Sequence, residues 1–389
     1  MSRSLTTALW GDDIGLMRSI DEQSAEAYLR ETGRIEPGET VRIGELSGGV
    51  SNMVLLVDRP QRPGAEFVLK QVRGQLRTRQ PWFAGVERVW REAEVLAICA
   101  RLLPSAAQQP RSLRYPPLPP GEGRGEGECA GAPVAHTPQI LFEDRDNYLF
   151  AMTAAPRPNT VWKQELLAGR ADPRIAAACG RLLGTLHAAS WLDPVIAEQI
   201  GDCRLFDQLR VDPYYRTLGE ARPEMRGLLH ELIDSLTQNP RSLVHADFSP
   251  KNLLLFSGGL MMVDFETGHY GDPAFDLGFF LSHLVLKACH KIPRHAAYLD
   301  LSEVFWKTYS DVLEPKIGPQ ELAGLWARGV RHFAACAWAR LDGKSPVDYL
   351  TDQHHRELVR GLCREIFSSR PQTWPEVIAL CEDRFRQPV

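Results

Sequence analysis

Apolar positions alternate with polar ones early in the chain and adopt a helical period later. Val41–Leu46, Met53–Asp58 and Phe67–Val72 are short β-branched or apolar runs bounded by Gly, Pro and Asp, the pattern of strands. A helix is expected from about Glu87 to Leu103, where Val89, Ala93, Leu96, Ala100 and Leu103 form one stripe. Gln139–Phe142 and Tyr148–Met152 predict two further strands. From Asn159 onward the helical period dominates: Ile175, Cys179, Leu182, Leu183, Leu186 and Ser190 define one buried face. Leu253–Phe256 and Leu260–Val263, separated by Ser257-Gly258-Gly259, predict a hairpin. The outline is a small sheet-rich part followed by a larger helical one.

Between Pro110 and Pro133, 11 of 24 residues are Pro or Gly, so Ser105 to His136 reads as a mobile surface insertion that buries too little to offset its ordering entropy. The remaining composition is that of a globular protein. Of the 389 residues 44% are apolar, which excludes wholesale disorder. A net charge of −4 argues against a dedicated nucleic-acid partner. No apolar run approaches a membrane span. Acidic residues close behind the short apolar stretch at the N-terminus, with no cleavage pattern, do not fit a signal peptide. The eight cysteines are scattered without a CxxC pair, and reduced thiols in the cytoplasm are expected.

The chemistry concentrates between Leu243 and Gly278. With Gly258 at the turn centre, Asn252 and Asp264 are equidistant from it, and antiparallel pairing would put them about 5 Å apart on one face. A carboxylate beside an amide oxygen suits a hard cation such as Mg²⁺, which takes few protein ligands and completes its shell with phosphate oxygens. Asp247, on the loop entering this hairpin, is placed to accept a proton from an attacking hydroxyl. Asp272-Pro273 carries a helix-start signature, so Asp272 is expected to be structural.

The segment His245-Ala246-Asp247-Phe248-Ser249-Pro250-Lys251-Asn252 resembles the catalytic loop of the aminoglycoside phosphotransferase and choline kinase superfamily. Val263-Asp264-Phe265-Glu266 resembles its metal-binding segment, and Gly271 to Gly278 the stretch that follows. The resemblance implies Asp247 as catalytic base, Asn252 and Asp264 as metal ligands and Glu266 as a further one. It implies ATP and Mg²⁺ as cofactors, Asp276 as a brace for the catalytic loop and His245 as a residue that fixes it. The implied fold is α+β and bilobal, protein-kinase-like, with a small β-rich N-lobe and a larger, mainly helical C-lobe. Residues 1–27 are then an N-terminal extension, 28–155 the ATP-binding N-lobe carrying the insertion 105–136, and 156–389 the C-lobe.

Nucleotide-handling parts are expected upstream. Ser47, Gly48, Gly49 and Ser51 lie between two strand-like runs, where glycines let backbone N–H groups approach phosphates. Lys70 sits within an apolar strand and needs a partner; it resembles the lysine that holds the α and β phosphates. On the following helix Glu92 falls at the edge of the buried stripe, which makes it the geometric choice of partner. Thr153 and Ala155 fall where the family's inter-lobe hinge would bind adenine.

The expected reaction moves the γ-phosphoryl group of ATP to a hydroxyl of a small molecule. Asp276 follows Asp264 by only twelve positions, little room for a peptide-binding platform, and no Ala-Pro-Glu segment follows. Stretches around Val68-Leu69-Lys70-Gln71, Arg91-Glu92-Ala93-Glu94 and Trp162 to Gly169 are similar to 5-methylthioribose kinases, but Arg331-His332 stands where that group has paired arginines. A polycationic acceptor would call on Asp342, Asp348, Asp352 and Glu357, which also fit a solvated face. The competing class is a non-catalytic kinase-like nucleotide-binding module, which would lack the base or the metal ligands.

Overall fold

The computed structural model describes residues 17–46, 52–72, 88–103, 133–292 and 294–386. The chain begins with α1 (Ala25–Glu31), β1 (Arg42–Glu45), β2 (Asn52–Asp58), β3 (Phe67–Val72) and α2 (Arg88–Leu102). Strands β4 (Val134–His136), β5 (Ile140–Asp144), β6 (Leu149–Thr153) and β7 (Asn159–Val161) follow. Then come α3 (Trp162–Leu167), α4 (Pro173–Ser190), α5 (Pro194–Ile200), α6 (Arg204–Phe206), a π-helical stretch Asp207–Arg216, α7 (Thr217–Ala221) and α8 (Arg226–Gln238). Strands β8 (Ser242–Val244), β9 (Leu253–Phe256), β10 (Gly259–Met262) and β11 (His269–Gly271) precede the last helices. These are α9 (Ala274–His290), α10 (His295–Ile317), α11 (Pro319–Asp342), α12 (Gln353–Ser369) and α13 (Trp374–Phe385). The class is α+β, as expected.

Two compact units emerge: Met1–Ala93 with Gln139–Ala154, and Glu94–Pro138 with Ala155–Val389. The first is built on an antiparallel sheet of order β1-β2-β3-β6-β5. Its centre, β3, is buried along all six residues, so both of its faces are covered. Leu55, Val57, Phe67, Leu69, Leu149 and Ala151 pack with Ile20, Ala25, Tyr28 and Leu29 in one core. The expected extension 1–27 therefore joins the fold from about Ile20, whose N–H donates to Gln71 Oε1 at 2.8 Å. The earlier part of that extension, residues 1–16, lies outside the described residues.

Helix packing dominates the second unit. Gly180 and Gly184 let α4 approach α10 closely: a Cβ on Gly180 would stand 2.7 Å from the Phe305 carbonyl oxygen. Gly278 does the same for α9 against α11, where a Cβ would meet the Phe333 nitrogen at 2.4 Å. Every residue of α9 from Ala274 to Cys289 is buried, so this helix is the unit's central rod.

Two expectations change here. Most of the insertion 105–136 lies outside the described residues, but its end, Val134–His136, is strand β4, paired in parallel with β10. Three residues suffice because the hairpin edge satisfies their backbone groups, a long-range pairing that local composition does not encode. The hairpin register also differs by one. Phe256 pairs with Gly259 across a two-residue Ser257-Gly258 turn, with Gly258 at φ +80°, and the Asn252 carbonyl accepts the Val263 N–H at 3.0 Å. Asn252 thus faces Val263. Asp264 follows just outside the ladder in a left-handed conformation, φ +71°.

Candidate active site

The loop after β8 is held by the first turn of α9. Asp276, fully buried, accepts the N–H of His245 on Oδ2 and of Ala246 on Oδ1, each at 2.8 Å. Ala246 has φ +60°, a conformation costly for a non-glycine residue that persists only where its surroundings fix it. His187 Nε2 lies 3.4 Å from Asp276, and Tyr309 Oη lies 2.8 Å from His187 Nδ1. His245 Nδ1 accepts the Asp247 N–H at 3.1 Å. Burial lowers the His245 pKa, Asp276 opposing, so its ring is a neutral spacer among Phe248 and Phe265. Asp272 accepts the Ala274 N–H at 3.0 Å and pairs with Arg328 at 2.8 Å, which makes it a helix-start and packing residue.

The Asp247 carboxylate is held from three directions. Arg210 reaches Oδ1 at 3.0 Å, while Lys251 Nζ and Asn252 Nδ2 reach Oδ2 at 2.7 Å and 2.8 Å. Burial pushes its pKa up, but Arg210 and Lys251 together outweigh that, and the net direction is down. The group stays ionised with its lone pairs directed. Arg210 also donates to the Ala246 carbonyl at 2.6 Å, clamping the strained residue from the other side. Sequence reasoning missed Arg210, because its position depends on the π-helical stretch, which carries an internal Pro213 and no readable period.

Asn252 spends its amide nitrogen on Asp247, on the backbone carbonyl at 3.0 Å and on Oδ2. Its Oδ1 is the atom that would face a cation. A carboxylate oxygen of Asp264 and one of Glu266 lie within 4.8 Å of each other. In the first unit Lys70 Nζ lies 2.6 Å from Glu92 Oε1, both nearly inaccessible to water. Thr153 closes β6, its N–H donating to the Gln139 carbonyl at 2.9 Å, and Ala155 lies just beyond. Ser47, Gly48, Gly49 and Ser51 lie outside the described residues.

The candidate acceptor-side residues are otherwise engaged. Asp342 is bound by Arg222 and Arg360, Asp348 by Lys163, and Glu357 by Arg360, while Asp352 caps α12 through the His355 N–H. Arg331 pairs with Glu231, and the buried His332 Nδ1 lies 2.8 Å from Tyr215 Oη. No helix among the described residues is long and apolar enough to cross a membrane.

Comparison with known proteins finds relatives of this chain. Residues 42–292 match the model of the phosphotransferase enzyme family. A methylthioribose kinase of Pectobacterium atrosepticum is 22% identical, with 82% of each chain covered. One of Pectobacterium carotovorum is also 22% identical, covering 76% of this chain and 75% of that protein. Among solved structures, choline kinase from Cryptosporidium parvum is 11% identical with a TM-score of 0.49, covering 94% of this chain and 93% of that one.

Proposed function

The chain belongs to the phosphotransferase enzyme family, and on that premise we propose that it moves the γ-phosphoryl group of ATP to a hydroxyl of a small molecule, with Asp247 as the base. The observation that carries this reading is the carboxylate of Asp247, ionised and oriented by Arg210, Lys251 and Asn252 on a loop locked by Asp276. Such a group accepts a hydrogen bond from the acceptor hydroxyl, aligns its oxygen and takes its proton as the new P–O bond forms and the bond from the γ-phosphorus to the departing ADP breaks. Lys251, half-exposed beside it, neutralises charge on the migrating group.

Asn252 Oδ1 and the carboxylates of Asp264 and Glu266 would offer hard oxygen donors, which suit Mg²⁺ better than a soft metal. When bound, the cation would supply positive charge to the phosphate oxygens. Lys70, fixed by Glu92, would hold the α and β phosphates, with the glycines around Gly48 and Gly49 offering N–H groups. The Thr153 N–H is already used by the Gln139 carbonyl, so the hinge residues Thr153 and Ala155 would meet adenine through their other backbone groups.

The names of the two Pectobacterium relatives favour a second reading, a sugar kinase acting on methylthioribose. Against it stand Arg331 and His332, both committed elsewhere. The test is phosphoryl transfer from Mg-ATP to a panel of hydroxylated metabolites, followed by mass spectrometry. Asp247→Asn should lower kcat by ~100-fold or more while leaving Mg-ATP binding intact. Equal turnover by the variant would remove Asp247 from the mechanism, and a chain that does not bind Mg-ATP would be a different kind of protein.

A further inference from the structure

One stripe of α9 runs from the catalytic loop into a cluster of cations that the proposed reaction does not use. Phe279, His283, Lys287 and His290 recur at helical spacing, within roughly 80° around the axis. Arg210, which holds Asp247, lies over the Phe279 ring at 5.7 Å, and the Phe279 and His283 rings are 5.0 Å apart. Lys287 Nζ, on a residue only 1% exposed, donates to the His283 carbonyl at 3.1 Å and stands 5.2 Å from the Tyr349 ring. Lys163 reaches the same ring from α3 at 5.8 Å, and Arg340 of α11 donates to Ser345 Oγ at 2.9 Å.

What these groups lack identifies what they await. Among the described residues neither Lys287 nor Arg340 has a carboxylate partner, and the one acid at the cluster, Asp348, is exposed and sits on Lys163 at 3.4 Å. His283 is 7% exposed, yet its Nε2 has no hydrogen-bond partner; Tyr349 Oη and Arg340 Nε have none either. A buried ammonium satisfied by one carbonyl is costly, and three unpaired donors or acceptors around it multiply the cost. Burial first, and then the charges of Lys287, Arg340, Lys251 and Lys163, hold His283 well below its usual pKa.

We infer that this cluster receives an anionic group of the acceptor, a carboxylate or a phosphate, bound by Lys287, His283, Arg340, Lys163 and Tyr349 while the acceptor's hydroxyl lies at Asp247. The inference rests on the kinase reading above and narrows its substrate class. The acceptor is a hydroxylated organic acid or a sugar phosphate, neither a neutral sugar nor a polycation. Along α9, His283 and Lys287 stand one and two turns beyond Phe279, so the hydroxyl and the anion should be separated by roughly 6–12 Å.

The test uses matched acceptors on the full chain: ribose against ribose 5-phosphate, and glucose against glucuronate, with 5-methylthioribose and kanamycin as the neutral and cationic arms. Turnover should favour the anionic member of a pair, and which pair responds separates phosphate from carboxylate. Lys287→Met should raise KM for that acceptor ~10- to 100-fold, with KM for ATP unchanged. Lys163→Met, at the open rim, should act in the same direction and keeps the test available if Lys287→Met repacks its surroundings. Preference for neutral or cationic acceptors, or KM values unmoved by both substitutions, would overturn the inference. A second readout needs no turnover: millimolar inorganic phosphate should raise the Tm of the wild type more than that of Lys163→Met or Lys287→Met. Loss of Mg-ATP binding with that difference retained would sink the kinase reading alone, and equal shifts in all three proteins would sink the anion site alone.

Discussion

Lys287→Met should stabilise the protein, and by an amount that depends on pH. The side chain is almost wholly buried, so burial, followed by repulsion from Lys163 and Arg340 and partly offset by Asp348, lowers its pKa from 10.5 to about 7. The groups around it are Lys163 from α3, Arg340 from α11, His283 and His290 from its own helix, and Asp348 and Tyr349 from the segment before α12. At ~1.4 kcal/mol per pH unit, that depression amounts to a charging penalty of ~5 kcal/mol in the folded state. The sign follows from proton counting. Between about pH 7 and pH 10.5 the unfolded chain holds the proton and the folded one does not, so this residue's contribution to stability rises with pH. Below about pH 7 both states hold it and the penalty is complete. Methionine fills similar volume without a charge but forfeits the bond to the His283 carbonyl, a loss of ~1–2 kcal/mol. The net gain is therefore ~3 kcal/mol near pH 6 and close to zero near pH 9, a change of ~3 kcal/mol. Urea unfolding of wild type and variant at both pH values measures it, and the difference between proteins cancels every other titrating group. A gain that does not change with pH, or a loss near pH 6, would refute the reasoning.

Other perturbations test the site's supports. Asp276→Asn leaves an amide that can accept only one of the two N–H groups now bound at 2.8 Å, so it should cost ~2–4 kcal/mol and lower kcat with little effect on KM for ATP. Denaturant unfolding and steady-state kinetics would show both. Lys70→Ala should reduce kcat/KM for ATP ~100-fold or more, read by coupled assay at varied ATP, because it removes the cation fixed by Glu92. Gly278→Ala places a methyl 2.4 Å from the Phe333 nitrogen and should cost ~3 kcal/mol through forced separation of α9 and α11, seen as a lowered Tm.

Much of this was legible in the sequence because local pattern and tertiary role agreed. β2, β3, β6 and α2 fall within a residue or so of their predicted spans, since alternation and the 3.6 period record which face is buried. Glu92 stands at the edge of the helical stripe, facing the lysine that needs a partner. The hairpin was visible, but its register was not, because Ser257-Gly258-Gly259 accommodates a two- or three-residue turn and one residue of slip moves every partner. β4 was hidden by the Pro/Gly composition before it, and its parallel partner lies more than a hundred residues away. The cation cluster was obscured differently: His283 and Lys287 interrupt a largely apolar helix, and only its burial on every side shows that both are nearly shielded from solvent.

The same helix links chemistry and selectivity. Asp276, in the first turn of α9, fixes the backbone N–H groups that shape the loop carrying Asp247. His283 and Lys287 sit farther along the same rod, which α11 grips where Gly278 permits contact. A buried helix transmits position with little play, so the span from hydroxyl to anion is set by helical rise rather than by a loop. A phosphotransferase site of this design discriminates by length as well as by charge: an acceptor with the right anion one turn too near would satisfy His283 and Lys287 only by withdrawing its hydroxyl from Asp247. Truncating a good acceptor between its two groups should therefore lower kcat more than it weakens binding, because the anion would still be held while the reacting oxygen would not.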